Sequence, residues 1–302
     1  MTFQKKISLG IILSTLLLSS HLYAVEIDEN ISEDMVSFQD MQKNDKKAFV
    51  KFRRKNPQGA QERGMIETGL RPKFDESVEC PNIDHQYAID YRAHRGRESY
   101  HGGVDIPAPK KTPILAIADG VVVAKFMNES NPKGIEIVLR HSPKDTSHDK
   151  WIFTQYTHMD EMPNLQIGQK VKMADIIGST GNTGLSGQDA KSKHGDSKYQ
   201  YSQLMGNQKK ANFIKQRRNL IHFGAMYSDN GKFLQSNRIF FPKDGYWMDP
   251  NAIYLKTDTL DSFELKKLPA EQKQVSIPYI LEDGSIYPKD TKIIWPYHCK
   301  KK

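Results

Sequence analysis

The chain has 302 residues, of which 37% are apolar, 26% charged and 10% aromatic, so it can build one large domain with extensions and is too rich in aromatics for wholesale disorder. Its formal charge of +8 keeps an anionic partner in view. Two cysteines, Cys80 and Cys299, exclude a cysteine-rich scaffold and an all-cysteine zinc site.

In chain order, Lys5 and Lys6 precede an apolar run from Ile7 to Leu18, which is too short to span a bilayer comfortably. Ser19 to Ala24 then has the character of a cleavage region, so residues 1–24 read as a secretory signal peptide. No later run approaches 18 apolar residues, so an integral membrane protein is not expected. Export to the periplasm or the extracellular medium places the cysteines where a Cys80–Cys299 disulfide is stable.

Residues 25–75 carry ten acidic and ten basic residues and read as an N-terminal extension with one or two short helices. Asn56-Pro57-Gln58-Gly59 reads as a helix breaker within it. From residue 76 the texture is that of short strands: Thr112–Ile117, Gly120–Phe126, Ile135–Arg140, Trp151–Tyr156, Lys170–Ile177, Asn219–Met226 and Arg238–Phe241. Asp119-Gly120 reads as a tight hairpin turn. Residues 76–255 are therefore expected to form a mainly antiparallel β domain, interrupted by a polar insertion at 185–218. A C-terminal tail, rich in Lys, Asp and Pro, fills 256–302.

Ten histidines are present. His21 falls in the leader, and His85, His94, His141, His148, His194 and His298 sit in polar runs typical of surface histidines. Three others stand apart. His101-Gly102-Gly103-Val104-Asp105 offers two zinc-ligand types four residues apart. In a straight strand they would be about 13 Å apart, so they can share a metal only if the two glycines fold the chain sharply. His158 follows the strand Trp151–Tyr156. His222 lies in the apolar strand Leu220-Ile221-His222-Phe223, where alternation puts it on the face of Leu220. A satisfied core histidine and a third ligand for the metal of His101 and Asp105 are both open for His222.

His101-Gly-Gly-Val-Asp105-Ile-Pro, Thr112-Pro-Ile-Leu-Ala-Ile-Ala-Asp-Gly120-Val-Val, Tyr156-Thr-His158-Met, Ile167-Gly-Gln-Lys-Val171, Ile177-Gly-Ser-Thr-Gly-Asn-Thr-Gly184, Ile221-His222-Phe223-Gly224 and Trp247-Met-Asp249-Pro250 follow one another in order. Together they resemble the lysostaphin/LytM-type zinc metallopeptidases of bacterial cell walls. The resemblance covers about residues 78–255. It implies a lysostaphin-like antiparallel β fold with an open groove, of the duplicated hybrid motif type. It also implies zinc as the cofactor, His101, Asp105 and His222 as its ligands, His158 as a catalytic helper, and the peptides of peptidoglycan as substrate.

Two departures stand out. The family's first His of a late H-x-H, a general base, falls on Leu220, which cannot carry a proton. Such a loss commonly costs about 10²–10⁴ in rate, so a catalytically impaired peptidoglycan-binding or amidase-activating module is the alternative. His194 is a candidate substitute base, and Asn219, on the other strand face, a poorer one. The second departure is the insertion Leu185–Arg218, with eight Lys/Arg and two Asp/Glu. Lys5 and Lys6 leave with the leader, so this one segment carries all the remaining excess charge and is expected to meet anionic wall or envelope polymer. Export and the peptidase motifs argue against nucleic acid as its partner.

Overall fold

A computed structural model describes residues 25–37, 57–83, 101–128, 133–184, 219–236, 239–257 and 259–302. The expected leader 1–24, the insertion 185–218, and His85, His94 and His194 lie outside the described residues.

The strands are β1 (Met35–Ser37), β2 (Arg71–Lys73), β3 (Val78–Glu79), β4 (Val104–Pro107), β5 (Pro113–Leu115), β6 (Gly120–Asn128), β7 (Gly134–His141), β8 (Trp151–Thr157) and β9 (Lys170–Val171). They continue as β10 (Ile176–Ser179), β11 (Leu220–Ser228), β12 (Phe233–Ser236), β13 (Ile239–Pro242), β14 (Tyr246–Met248), β15 (Gln274–Ser276), β16 (Tyr279–Leu281), β17 (Ile286–Tyr287) and β18 (His298–Lys301). A seven-stranded antiparallel sheet in the order β14-β11-β8-β7-β6-β9, with β4 on the free part of β11, is the centre of a mainly β fold. Among the described residues, parallel pairing is confined to β1–β12, β2–β15 and β16–β18.

The register explains the two faces. Tyr156 stands opposite Ile137 on one side and Phe223 on the other, and all three are fully buried. These residues and their alternates Leu139, Ile152 and Ile221 form the apolar face. One residue along, Thr157 stands opposite both Glu136 and His222, and Gln155 opposite Gly224. The second face is thus polar at one end, and that end carries the candidate site.

Asp119-Gly120 is not a hairpin turn. β5 pairs with β10 and β6 pairs with β7 and β9, so the chain passes between sheets at this point. Gly120 is required by close packing instead: a Cβ there would lie 2.7 Å from the Arg140 carbonyl oxygen and from His141 Nδ1. The expected strand Lys170–Ile177 is split into β9 and β10 by a turn in which Ala174 has φ +73°. A short helix, Pro57–Glu62, begins at the proline of Asn56-Pro57-Gln58-Gly59, a residue well suited to a first helical position, and the residues before it lie outside the described ones.

Both flanks pack on this sheet. Ala60, Met65 and Leu70 are buried in the main core, and the Trp247 N–H donates to the Arg63 carbonyl at 2.8 Å. Asp28 and Asp34 both bind the buried guanidinium of Arg140, at 2.8 and 2.6 Å. At the other end Trp295 meets Phe74 edge-on, with ring centroids 5.2 Å apart, and donates from Nε1 to the Pro81 carbonyl at 2.7 Å. Cys80 and Cys299 form a disulfide that spans 219 residues. The C-terminal residues, polar by composition, therefore contribute Trp295 and Tyr297 to the core.

Candidate metal centre

His101 precedes β4, Asp105 lies in it, and His222 sits opposite Asp105 in β11. Gly102 adopts φ +71°, a left-handed turn that brings His101 back over the strand. Gly103 has no room for a side chain, since a Cβ would lie 2.6 Å from both His222 Nε2 and the Phe223 carbonyl oxygen. The two glycines thus do what the four-residue spacing demands.

Three donor atoms converge as a result. His101 Nε2 lies 3.0 Å from Asp105 Oδ1 and 2.9 Å from His222 Nδ1, and His222 Nδ1 lies 3.1 Å from Asp105 Oδ1. All three residues are buried. Burial alone would raise the pKa of Asp105, but the charge and hydrogen bond of His101, joined by His222, hold it well below the usual carboxylate range. The site is therefore one carboxylate and two imidazoles, gathered as a cluster that could hold a metal ion. Donor atoms of a tetrahedral zinc, with bonds of about 2.0–2.1 Å, are about 3.3 Å apart, so an outward shift of a few tenths of an ångström would seat one. The donor set and its burial fit zinc.

His158 directly follows β8 and has φ +67°, a backbone region sparsely occupied by residues other than glycine. Its N–H donates to the Lys133 carbonyl at 3.1 Å, and its Nδ1 lies 3.1 Å from the Thr183 carbonyl oxygen. The His158 and His222 ring centroids are 6.2 Å apart, so His158 borders the cluster without joining the triad of donors. Leu220 is also at the site. It stands opposite Pro107, its N–H donates to the Gly181 carbonyl at 3.1 Å, and its side chain is buried. Asn219 contributes its carbonyl oxygen to the Ala108 N–H.

Several polar residues beside the site carry no motif. Glu136 accepts from Gln155 Nε2 at 2.6 Å and pairs with Lys133 Nζ at 2.9 Å, on the sheet face of His222. Thr183 links the ends of β7 and β8. Strand alternation within Ile135–Arg140 is the signal that could have put Glu136 on this face. Two histidines depart from expectation. His141 is fully buried, between the Asp119 carbonyl at 2.7 Å and the Thr154 hydroxyl at 2.8 Å, and burial lowers its pKa. His148 Nε2 lies 2.8 Å from the Ile253 carbonyl. Each has a backbone acceptor within reach, which a polar sequence context does not reveal.

Residues 99–203 match the model of Peptidase family M23. That segment contains His101, Asp105 and His158 and ends before His222. An uncharacterised metalloprotease of Buchnera aphidicola is 40% identical over 91 residues, 30% of this chain and 21% of the relative. Peptidoglycan DD-endopeptidase ShyC of Vibrio cholerae is 35% identical over 89 residues, 30% of this chain and 18% of the relative. The chain thus spans about a fifth of the length of these curated relatives. The catalytic domain of lysostaphin from Staphylococcus simulans overlaps 48% of this chain and 83% of its own, at 20% identity and a TM-score of 0.31. Among the described residues no helix is long and apolar enough to cross a membrane.

Proposed function

We propose, on the premise that residues 99–203 form a peptidase family M23 domain, that this chain is an exported zinc metalloendopeptidase. Its substrates are the peptide cross-links or stem peptides of bacterial peptidoglycan. The observation that carries the reading is the convergence of His101, Asp105 and His222 into one buried triangle of donor atoms. The relative named a peptidoglycan DD-endopeptidase supports the substrate class. The apolar run after Lys5 and Lys6 supports export.

His101, Asp105 and His222 would hold a zinc ion, which would supply Lewis-acid polarisation of a peptide carbonyl and make a water acidic enough to ionise near neutral pH. The chain's own groups do the rest. Asp105 stays ionised and offsets part of the cationic charge. His158 Nδ1 faces a carbonyl oxygen, which can only accept, so Nδ1 carries the proton of the neutral ring. Nε2 is then the atom that accepts a proton from the attacking water and returns it to the departing amine nitrogen. One histidine takes the whole proton traffic here, because Leu220 offers none. The basic excess of Leu185–Arg218 supports an accessory contact with anionic wall polymer.

The second reading is a peptidoglycan-binding or amidase-activating module without hydrolysis, and Leu220 is the observation that favours it. Zinc content and digestion of purified cross-linked muropeptides separate the two. Equimolar zinc with cleavage that disappears in His101→Ala supports the enzyme. Zinc without cleavage, unchanged in Leu220→His, would leave the binding role.

A further inference from the structure

Only the carbonyl of Thr183 enters that mechanism, yet its hydroxyl also ties together the backbone on both sides of His158. Its hydroxyl donates to the Met159 carbonyl at 2.7 Å and accepts from the Ile135 N–H at 3.0 Å. Its own carbonyl oxygen is the partner of His158 Nδ1 at 3.1 Å. Gly134 faces it with φ +65°, and a Cβ on Gly134 would lie 2.4 Å from the Thr183 carbonyl carbon and 2.5 Å from its hydroxyl oxygen. There is no slack on that side. His158 meanwhile holds φ +67°, a conformation that persists only where the surroundings over-determine it. The surroundings are the Lys133 carbonyl, which takes the His158 N–H, and the Ile135 carbonyl, which takes the Met159 N–H at 3.3 Å.

We propose that Thr183 is a positioning residue that sets the tautomer and the aim of His158. A carbonyl oxygen carries no proton, so the hydrogen shared with Nδ1 belongs to the ring. The neutral ring has a single N–H, and its Nε2 is thereby kept as the proton acceptor. That outcome depends on the Thr183 carbonyl staying in place. The hydroxyl keeps it there by tying Thr183 at once to the start of β7 and to the residues that follow β8. Valine has nearly the same shape, but it removes both hydroxyl bonds and takes that partner from two backbone groups. The Thr183 carbonyl can then drift and the ring can adopt its other tautomer. This inference rests on the reading of His158 as the proton-handling group.

Nitrogen NMR of histidine-labelled protein, metal-free and zinc-loaded, reports the tautomer, and muropeptide digestion reports the rate. In the wild type His158 should be the Nδ1–H form. Thr183→Val should give a mixture of tautomers. It should also lower kcat by roughly 10- to 100-fold, the scale of an ångström-sized misplacement, with KM and zinc stoichiometry unchanged. Thr183→Ser should restore both readouts. In a His158→Ala background Thr183→Val should cost nothing further, whereas a merely structural role would lower the rate in both backgrounds and overturn the proposal. A wild-type His158 mainly in the Nε2–H form would also overturn it, and needs no variant that might misfold. If the zinc-loaded wild type cleaves nothing, the functional reading fails, and the NMR arm still decides on Thr183.

Discussion

His222 Nδ1 lies 2.9 Å from His101 Nε2, although 121 residues separate them in the chain. Both also reach Asp105 Oδ1, at 3.1 and 3.0 Å. Polar groups buried this closely are stabilised most by a cation that all three can bind. Zinc added to metal-free protein should therefore raise the melting temperature. The gain should be about 4 kcal/mol at a thousandfold excess over Kd. His222→Ala should abolish that gain, as read by calorimetry with and without zinc.

Gly103→Ala places a methyl group 2.6 Å from His222 Nε2 and from the Phe223 backbone. Both the imidazole and the Phe223 backbone must give way. Overpacking of this kind costs about 1–3 kcal/mol. The expected result is a loss of zinc affinity larger than the loss of stability, from parallel zinc titration and denaturant melts. Equal zinc affinity in variant and wild type would refute it.

Asp249 gives a pH prediction remote from the site. Burial pushes its pKa up to about 6, against hydrogen bonds from Thr68 at 2.5 Å and from the Asn251 N–H and side-chain amide at 3.0 Å each. A carboxyl whose folded pKa is raised favours the folded state fully below its unfolded value near 4. That contribution is lost as the pH rises through about 6. Asp249→Asn should thus gain on the wild type by about 2 kcal/mol between pH 4 and pH 7. Urea melts at the two pH values measure it, and a pH-independent difference would contradict the raised pKa.

The Cys80–Cys299 bridge closes a loop of 219 residues. In the chain-entropy model this contributes about 5 kcal/mol. Reduction should lower the urea midpoint without changing zinc stoichiometry, because the core around Trp295 and Tyr297 has hydrogen bonds of its own, including Tyr297 to Thr180 at 2.7 Å. Zinc loss on mild reduction would show that the C-terminal strand supports the metal centre more directly.

The triad was expected from the ordered motifs of the resemblance, since the residues alone offered His101 and Asp105 as a weak pair and left His222 open between core histidine and third ligand. Thr183 was not. Its residue type in a glycine-rich turn is ordinary, and its importance lies in partners 24 and 48 residues away. His141 failed for the same reason, since a carbonyl and a hydroxyl supplied from Asp119 and Thr154 made a polar-looking segment fully buried.

The sequence by itself determined the strand texture and the ordered motifs whose resemblance to a family nominated the ligands and singled out Leu220, because these depend on residue type and short-range spacing. Tertiary structure decided which sheet face Glu136 and Gln155 share with His222. It decided that Asp119-Gly120 joins two sheets, and that Ala60, Met65, Leu70, Trp295 and Tyr297, from polar-looking segments on either side of the β domain, pack into the core. Those outcomes follow from strand register and close approach between distant segments, which side-chain chemistry along the chain does not encode locally.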